Sequence, residues 1–156
     1  MLSTEAQELS EILVANGLTI SVAESCTGGS LSHAIASIPG ASSYFDCGYI
    51  TYSNQSKTEM LGVDIQAIKT YGAVSEEVAL EMVIGLANKS HSDVVISITG
   101  VAGPTGGTPE KPVGTVCFGF SCNGKTSTST KLFSGDRTSI VSQSVSYALK
   151  QLSVRI

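Results

Sequence analysis

Residues 19–29, Thr-Ile-Ser-Val-Ala-Glu-Ser-Cys-Thr-Gly-Gly, limit the fold more than any other stretch of the chain. Thr19 to Ala23 mixes β-branched and small residues and predicts a short buried strand. From Ser30 a helical spacing takes over, with Leu31, Ala34, Ile35 and Ile38 on one face. Six residues, Glu24 to Gly29, must therefore turn a strand into a helix. The paired glycines allow that bend and a close backbone approach to a ligand. The helix start would turn free N–H groups toward an anion. Glu24, Ser25, Cys26 and Thr27 supply a carboxylate, two hydroxyls and a thiol at the same place, as chemistry on an anionic or anion-forming substrate would use.

The rest of the chain repeats the alternation. An amphipathic helix over 4–15 is stopped by Asn16-Gly17, and the helix from Ser30 ends at Ile38-Pro39-Gly40. Residues 44–52 read as an aromatic, β-branched strand, and Ser53-Asn54 caps a short helix through Lys57 and Leu61. Asp64 caps another ending near Tyr71-Gly72. Ser75-Glu76-Glu77 opens a long helix to about Asn88. Val94–Thr99 is a continuous run without polar alternation and reads as a fully buried strand. Val113–Ser121 and Thr126–Phe133 form a hairpin about Asn123-Gly124, and a last helix follows Gly135-Asp136-Arg137. This order predicts a three-layer α/β/α sandwich with a mixed sheet, one domain over 1–156. Loops 24–29 and 100–112 each follow a buried strand, where ligands of such sheets bind.

Charge and cysteine content exclude several classes. A net charge of −4 argues against a nucleic-acid binder. No apolar run reaches membrane-spanning length and no signal sequence is evident, so no membrane partner and a cytoplasmic location are expected. Cys26, Cys47, Cys117 and Cys122 show no zinc-like spacing with His33 or His91 and are expected to be free thiols. A literal P-loop pattern at 119–126 falls on the hairpin turn, where no helix can open at Lys125, and is rejected.

His33 on an apolar helix reads as a packing residue, and His91 as solvated, so a Ser–His pair is not expected. A serine nucleophile then needs another base, and lysine serves when its pKa is lowered. Lys57, at a strand-to-helix junction like the one carrying Ser25, is the candidate, although a lysine on such a helix is more commonly at the surface. Tyr52 suits a core or rim position. Arg137, a cation in a first helical turn, asks for an anionic partner, Asp136 or a ligand. The glycine-rich 100–112 loop could hold an anion in successive N–H groups or simply be an exposed connection.

Ala23-Glu-Ser-Cys-Thr-Gly-Gly29, Thr51-Tyr-Ser-Asn54 with Lys57, Gly72-Ala-Val-Ser-Glu76, Thr99-Gly-Val-Ala-Gly-Pro104 through Thr115, and Gly135-Asp-Arg137 resemble, in order, the blocks of the CinA C-terminal domain family. The resemblance implies a stand-alone form that hydrolyses nicotinamide mononucleotide to nicotinate mononucleotide and ammonia, with no metal or other cofactor. By position it implies Ser25 as nucleophile, Lys57 as general base, and Tyr52 and Arg137 as supporting residues, Tyr52 counted with the catalytic group as helping to relay or orient the proton. Thr27, Gly28 and Gly29 of the first turn, with Gly100, Gly103, Thr105, Gly106 and Gly107 of the second loop, join Arg137 as candidates for holding ribose and phosphate. A homodimer is plausible for the family. Two departures stand out: Asp46-Cys47 before Gly48, and Val141 where many members carry a second arginine, which would weaken phosphate binding more than the reaction. Two alternatives stay open at this level: a catalytically silent pyridine-nucleotide-binding regulatory module, and an enzyme using Cys26 as nucleophile.

Overall fold

The computed structural model describes residues 3–156. The chain runs α1 (Thr4–Asn16), β1 (Ile20–Glu24), α2 (Ser30–Ala36), β2 (Phe45–Ile50), α3 (Asn54–Leu61), α4 (Ile65–Tyr71), α5 (Glu76–Ser90), β3 (Val94–Gly100), β4 (Thr115–Cys122), β5 (Lys125–Leu132) and α6 (Arg137–Arg155). The helix boundaries follow the caps. Ser3, Ser53, Asp64, Ser75 and Asp136 each accept a backbone N–H of the helix they precede, and Gly17 and Gly62 close α1 and α3 in the left-handed conformation. Each side-chain cap is worth about 1 kcal/mol to the element it starts.

Five strands form one sheet in the order β2-β1-β3-β4-β5. The pairs β1–β2 and β1–β3 are parallel, while β3–β4 and β4–β5 are antiparallel. Helices α1, α2 and α6 cover one face, where Ile20, Val22, Ile96, Ile98, Phe118 and Phe120 point. Helices α3, α4 and α5 cover the other, where Leu61, Ile68, Met82, Val83 and Leu86 pack over Ala23 and Val95. Side chains alternate across the sheet, so β1 and β3 are buried on both faces, Ser21, Ser97 and Thr99 included. The result is the expected three-layer α/β/α sandwich with a mixed sheet.

Helix α5 sits unusually close to its neighbours. A Cβ on Gly119 would lie 2.4 Å from the Ala79 carbonyl, and one on Gly85 only 1.9 Å from the carbonyl of Leu61. Ser97 Oγ donates to the same Ala79 carbonyl at 2.6 Å, tying β3 to α5. This close packing fixes the sheet against α5, and α5 in turn carries α3 and Lys57.

Several boundaries differ from the sequence expectation. Tyr44 is buried at the end of a short 3₁₀ turn, and β2 begins only at Phe45. Gly114, at φ +98°, breaks the chain before β4, so Val113 lies outside the strand. The hairpin is as read: Asn123 and Gly124 both take positive φ, as its two-residue turn demands. The P-loop-like stretch is therefore a β4–β5 turn with no helix after it. His33 is exposed, with Ser37 3.5 Å from its ring nitrogen, so its expected packing role is not found; α2 is short and shows that face to solvent. His91 closes α5 at φ +59° and is exposed.

Candidate active site

The three parallel strands end together. Glu24 of β1 is in register with Ile50 of β2 and Ile98 of β3, and the pairing runs one residue further on each side. Ser25 N–H donates to the Ile98 carbonyl, and Thr51 N–H to the Glu24 carbonyl. The chain reverses between β1 and its two neighbours, passing over one face through α2 and the other through α3–α5. A crevice at such a reversal is where open α/β sheets bind ligands. Here it is a cavity of about 290 Å³, whose lining includes Ser25, Tyr52, Lys57, Thr99, Gly103 and Arg137.

At its floor, Lys57 Nζ lies 2.9 Å from Ser25 Oγ and 2.9 Å from the Thr51 carbonyl. Lys57 is 1% exposed and Ser25 7%. The surface position more usual for such a lysine is not what this chain builds: Lys57 and Leu61, one turn apart, form the buried face of α3. Burial lowers the Lys57 pKa below the ordinary lysine value, with the nearby Cys26 pulling weakly the other way. No carboxylate pairs with the amine among the described residues. A buried, unpaired amine against a serine hydroxyl is poised to accept its proton.

Glu24, expected among the groups presented to a ligand, is wholly buried and serves the scaffold. Its Oε1 accepts from Thr27 Oγ1 at 2.7 Å and Leu31 N at 2.8 Å; its Oε2 accepts from Ser32 N at 2.9 Å and Ser32 Oγ at 2.6 Å. The carboxylate thus occupies the helix start that was expected to face an external anion. Thr27, 3% exposed, is spent on this contact, and neither it nor Gly28 and Gly29 lines the cavity. Gly28 and Gly29 carry the positive φ angles of the turn instead. The N–H groups of Cys26, Thr27 and Gly29 have no protein acceptor among the described residues, which leaves the turn itself with open donors.

Gly100, Gly103, Thr105 and Gly106 reach the cavity wall; Gly107 does not, and a Cβ there would meet Val113 N at 2.6 Å. Arg137 is exposed and finds neutral partners rather than Asp136. It donates to the Gly103 carbonyl at 2.7 Å and to Tyr52 Oη at 2.5 Å, while Asp136 caps Ser139 N. Tyr52 is 57% exposed, at the rim. Together Tyr52, Arg137 and Gly103 bridge the mouth of the cleft. Asn54, Thr99, Ala73 and Val74 also line it and were not singled out as site residues. Asn54 was legible as part of a cap, and its i, i+3 spacing to Lys57 places the two on one helix face. The other three come from β3 and the α4–α5 connection, which sequence spacing does not bring to Ser25.

Cys26 also borders the cavity, yet it is 8% exposed and burial pushes its thiol up to about 12. Such a thiol is protonated at neutral pH and a poor nucleophile. Among the described residues, no three His, Cys, Asp or Glu side chains converge as a metal site requires, and no helix is long and apolar enough to cross a membrane.

Comparison with known proteins gives a consistent result. Residues 2–156 match the family described as the CinA C-terminal domain. The nicotinamide-nucleotide amidohydrolase PncC of Escherichia coli strain K12 is 45% identical over 157 residues, covering 97% of this chain and 95% of that protein. A CinA-like protein of Kosmotoga olearia is 48% identical over 92% of this chain, which spans only 36% of that longer protein. A solved competence-damaged protein (CinA) superfamily structure from Escherichia coli superposes with a TM-score of 0.96 at 36% identity, covering 100% of this chain and 91% of the other.

Proposed function

The chain belongs to the CinA C-terminal domain family, and from that premise we propose that it is a nicotinamide-nucleotide amidohydrolase working through Ser25 and Lys57. The substrate is nicotinamide mononucleotide, and the products are nicotinate mononucleotide and ammonia. The observation that carries the mechanism is the 2.9 Å contact between the buried Lys57 amine and Ser25 Oγ at the cleft floor.

In the first half-reaction Ser25 Oγ bonds to the carboxamide carbon while its proton passes to Lys57 Nζ. The carbonyl π electrons move to oxygen, and the open N–H of Cys26, the residue of the 26–29 turn that lines the cavity, would donate to that oxyanion. The intermediate collapses by breaking the C–N bond; Lys57 returns the proton to nitrogen and ammonia departs, leaving a Ser25 ester. In the second half, Lys57 takes a proton from water, the hydroxide oxygen attacks the ester carbon, and the C–Oγ bond breaks. The proton returns to Oγ, restoring serine and the free amine. Tyr52 and Arg137 hold the cleft mouth, where Arg137, no longer tied to Gly103, would face the phosphate. Val141, lying against the α1–α6 core, adds no cation there.

Ammonia release from nicotinamide mononucleotide, measured with a chelator present, tests this reading. Wild type is expected to release ammonia and Ser25→Ala to fall to background; a folded wild type that releases none would overturn the assignment. Cys26→Ser is expected to keep most of the wild-type rate in the same assay. Loss of turnover in that variant, with Ser25→Ala still active, would move the nucleophile to the thiol. A change at the cleft mouth should read differently: Arg137→Ala is expected to raise KM about tenfold with a smaller effect on kcat, because it removes binding to a group that does not react.

A further inference from the structure

Among the described residues, two buried side-chain oxygens lack a hydrogen-bond partner, Thr51 Oγ1 and Thr58 Oγ1. Thr51 is also the residue whose carbonyl accepts from Lys57 Nζ at 2.9 Å. It is wholly buried, and its N–H is fixed to the Glu24 carbonyl, so its backbone cannot shift without moving the end of β1. Its side chain keeps one freedom, rotation about χ1.

A neutral lysine amine has two hydrogens, and a protonated one has three. In the resting site the neutral amine can accept from Ser25 Oγ and donate to the Thr51 carbonyl. Once the amine takes the serine proton, the buried ammonium has three donors. Two acceptors face it, Ser25 Oγ and the Thr51 carbonyl. We propose that Thr51 is a positioning residue for the base: its Oγ1, unpaired at rest, takes the third hydrogen of the Lys57 ammonium, directly after a side-chain rotation or through one water. This inference rests on the Ser25–Lys57 reading above.

The other ionisable groups on the elements around Lys57 do not offer that acceptor. Glu24 gives both oxygens to Thr27, Leu31 and Ser32, and Glu59 of α3 is exposed and accepts from Gln55. Of the α5 carboxylates, Glu76 accepts from Thr128 and Thr130, Glu77 is exposed, and Glu81 accepts from Asp64 N at 2.7 Å. Cys26 is a protonated thiol, Arg137 is a cation bonded to Tyr52 and Gly103, and Lys69 of α4 is exposed. An unpaired buried hydroxyl is a standing cost to the fold. The arrangement makes sense if the oxygen is used in a state other than the resting one.

The test titrates the Lys57 amine by NMR of isotopically labelled lysine in the intact chain, for wild type, Thr51→Val, Thr51→Ser and Thr58→Val. Thr51→Val keeps the volume and removes only the hydroxyl. Its Lys57 midpoint is expected to fall by about one pH unit, since the charged form loses an acceptor. Thr51→Ser and Thr58→Val should titrate as wild type. In ammonia release, Thr51→Val is expected to lose about tenfold in kcat at unchanged KM, with Tm equal to wild type or higher, while Thr51→Ser keeps its kcat. A wild-type midpoint in Thr51→Val, or an equal shift in Thr58→Val, would overturn the inference. Should Thr51→Val fail to fold, Thr51→Ser against Thr51→Ala isolates the same oxygen. If wild type released no ammonia, the amidohydrolase reading would fall, while the titration would still decide the role of Thr51.

Discussion

Lys57→Met is expected to lose about 10⁴-fold or more in kcat for ammonia release and yet melt at a higher temperature than wild type. The two effects have one cause. Lys57 occupies an inward position of α3 that a hydrophobic residue of similar length would fill, and no carboxylate there compensates its charge among the described residues. Desolvation lowers its pKa in the folded state, so between that value and the ordinary one near 10.5 the unfolded chain binds the extra proton. Stability from this group is therefore fully present above the unfolded value and is lost as pH falls through the folded one. Methionine removes the titration, so the variant should lack that slope and gain stability on the order of 1 kcal/mol near neutrality. The activity of wild type should rise with pH on the limb set by the same group, since only the free amine can take the proton of Ser25. Thermal melts across pH, set beside kcat/KM profiles, check both halves. A variant that is neither less active nor more stable would remove Lys57 from the role of buried base.

How much of this was legible in the sequence depends on how local the signal was. Caps, turns and the two-faced burial of β1 and β3 are written in adjacent residues, and the structure reproduces them. Ser53, Asp64 and Ser75 start their helices, Asn123-Gly124 turns the hairpin, and the 94–99 run is a fully buried strand. The ends of β2 and β4 were less legible because they are set by tertiary context. Tyr44 is drawn into the core below the strand, and Gly114 is pressed so closely on Phe133 that a Cβ would lie 1.9 Å from its carbonyl.

The site divides in the same way. That Ser25 sits on a strand-to-helix turn follows from the eleven consecutive residues 19–29, whereas the burial of Lys57 does not. A helix with only two inward residues, one of them lysine, reads locally as a surface helix. The approach of α3 to α5, where a Cβ on Gly85 would meet the Leu61 carbonyl, turns the amine inward. Arg137 was legible as an unusual cation, but its neutral partners belong to segments 34 and 85 residues away. Glu24 misled in an instructive direction. A carboxylate beside a serine invites a chemical role, yet its acceptors point into α2 and away from the cavity.

That geometry gives Glu24→Gln a large expected effect: a loss of about 3–5 kcal/mol, or a Tm lower by on the order of 10 °C. A carboxamide is nearly the same size, so packing is not the issue. Each carboxylate oxygen accepts one backbone N–H, from Leu31 or Ser32, and one hydroxyl, from Thr27 or Ser32. The hydroxyls can rotate and become acceptors, but a backbone N–H cannot. Whichever way glutamine is turned, its NH₂ group faces a peptide donor in a fully buried position, and that donor is left unpaired. The start of α2 would then move to regain a partner, and the turn holding Ser25 would move with it, since Ser25 N–H and Glu24 belong to the same strand end. Turnover is therefore expected to fall by about 10²-fold even well below the melting temperature, a misplacement of the nucleophile by less than an ångström being enough. Calorimetry paired with ammonia release at low temperature measures both consequences. A variant that melts with wild type would show that the four contacts at Glu24 are dispensable, and one that melts early but turns over normally would separate the stability of the turn from the placement of Ser25.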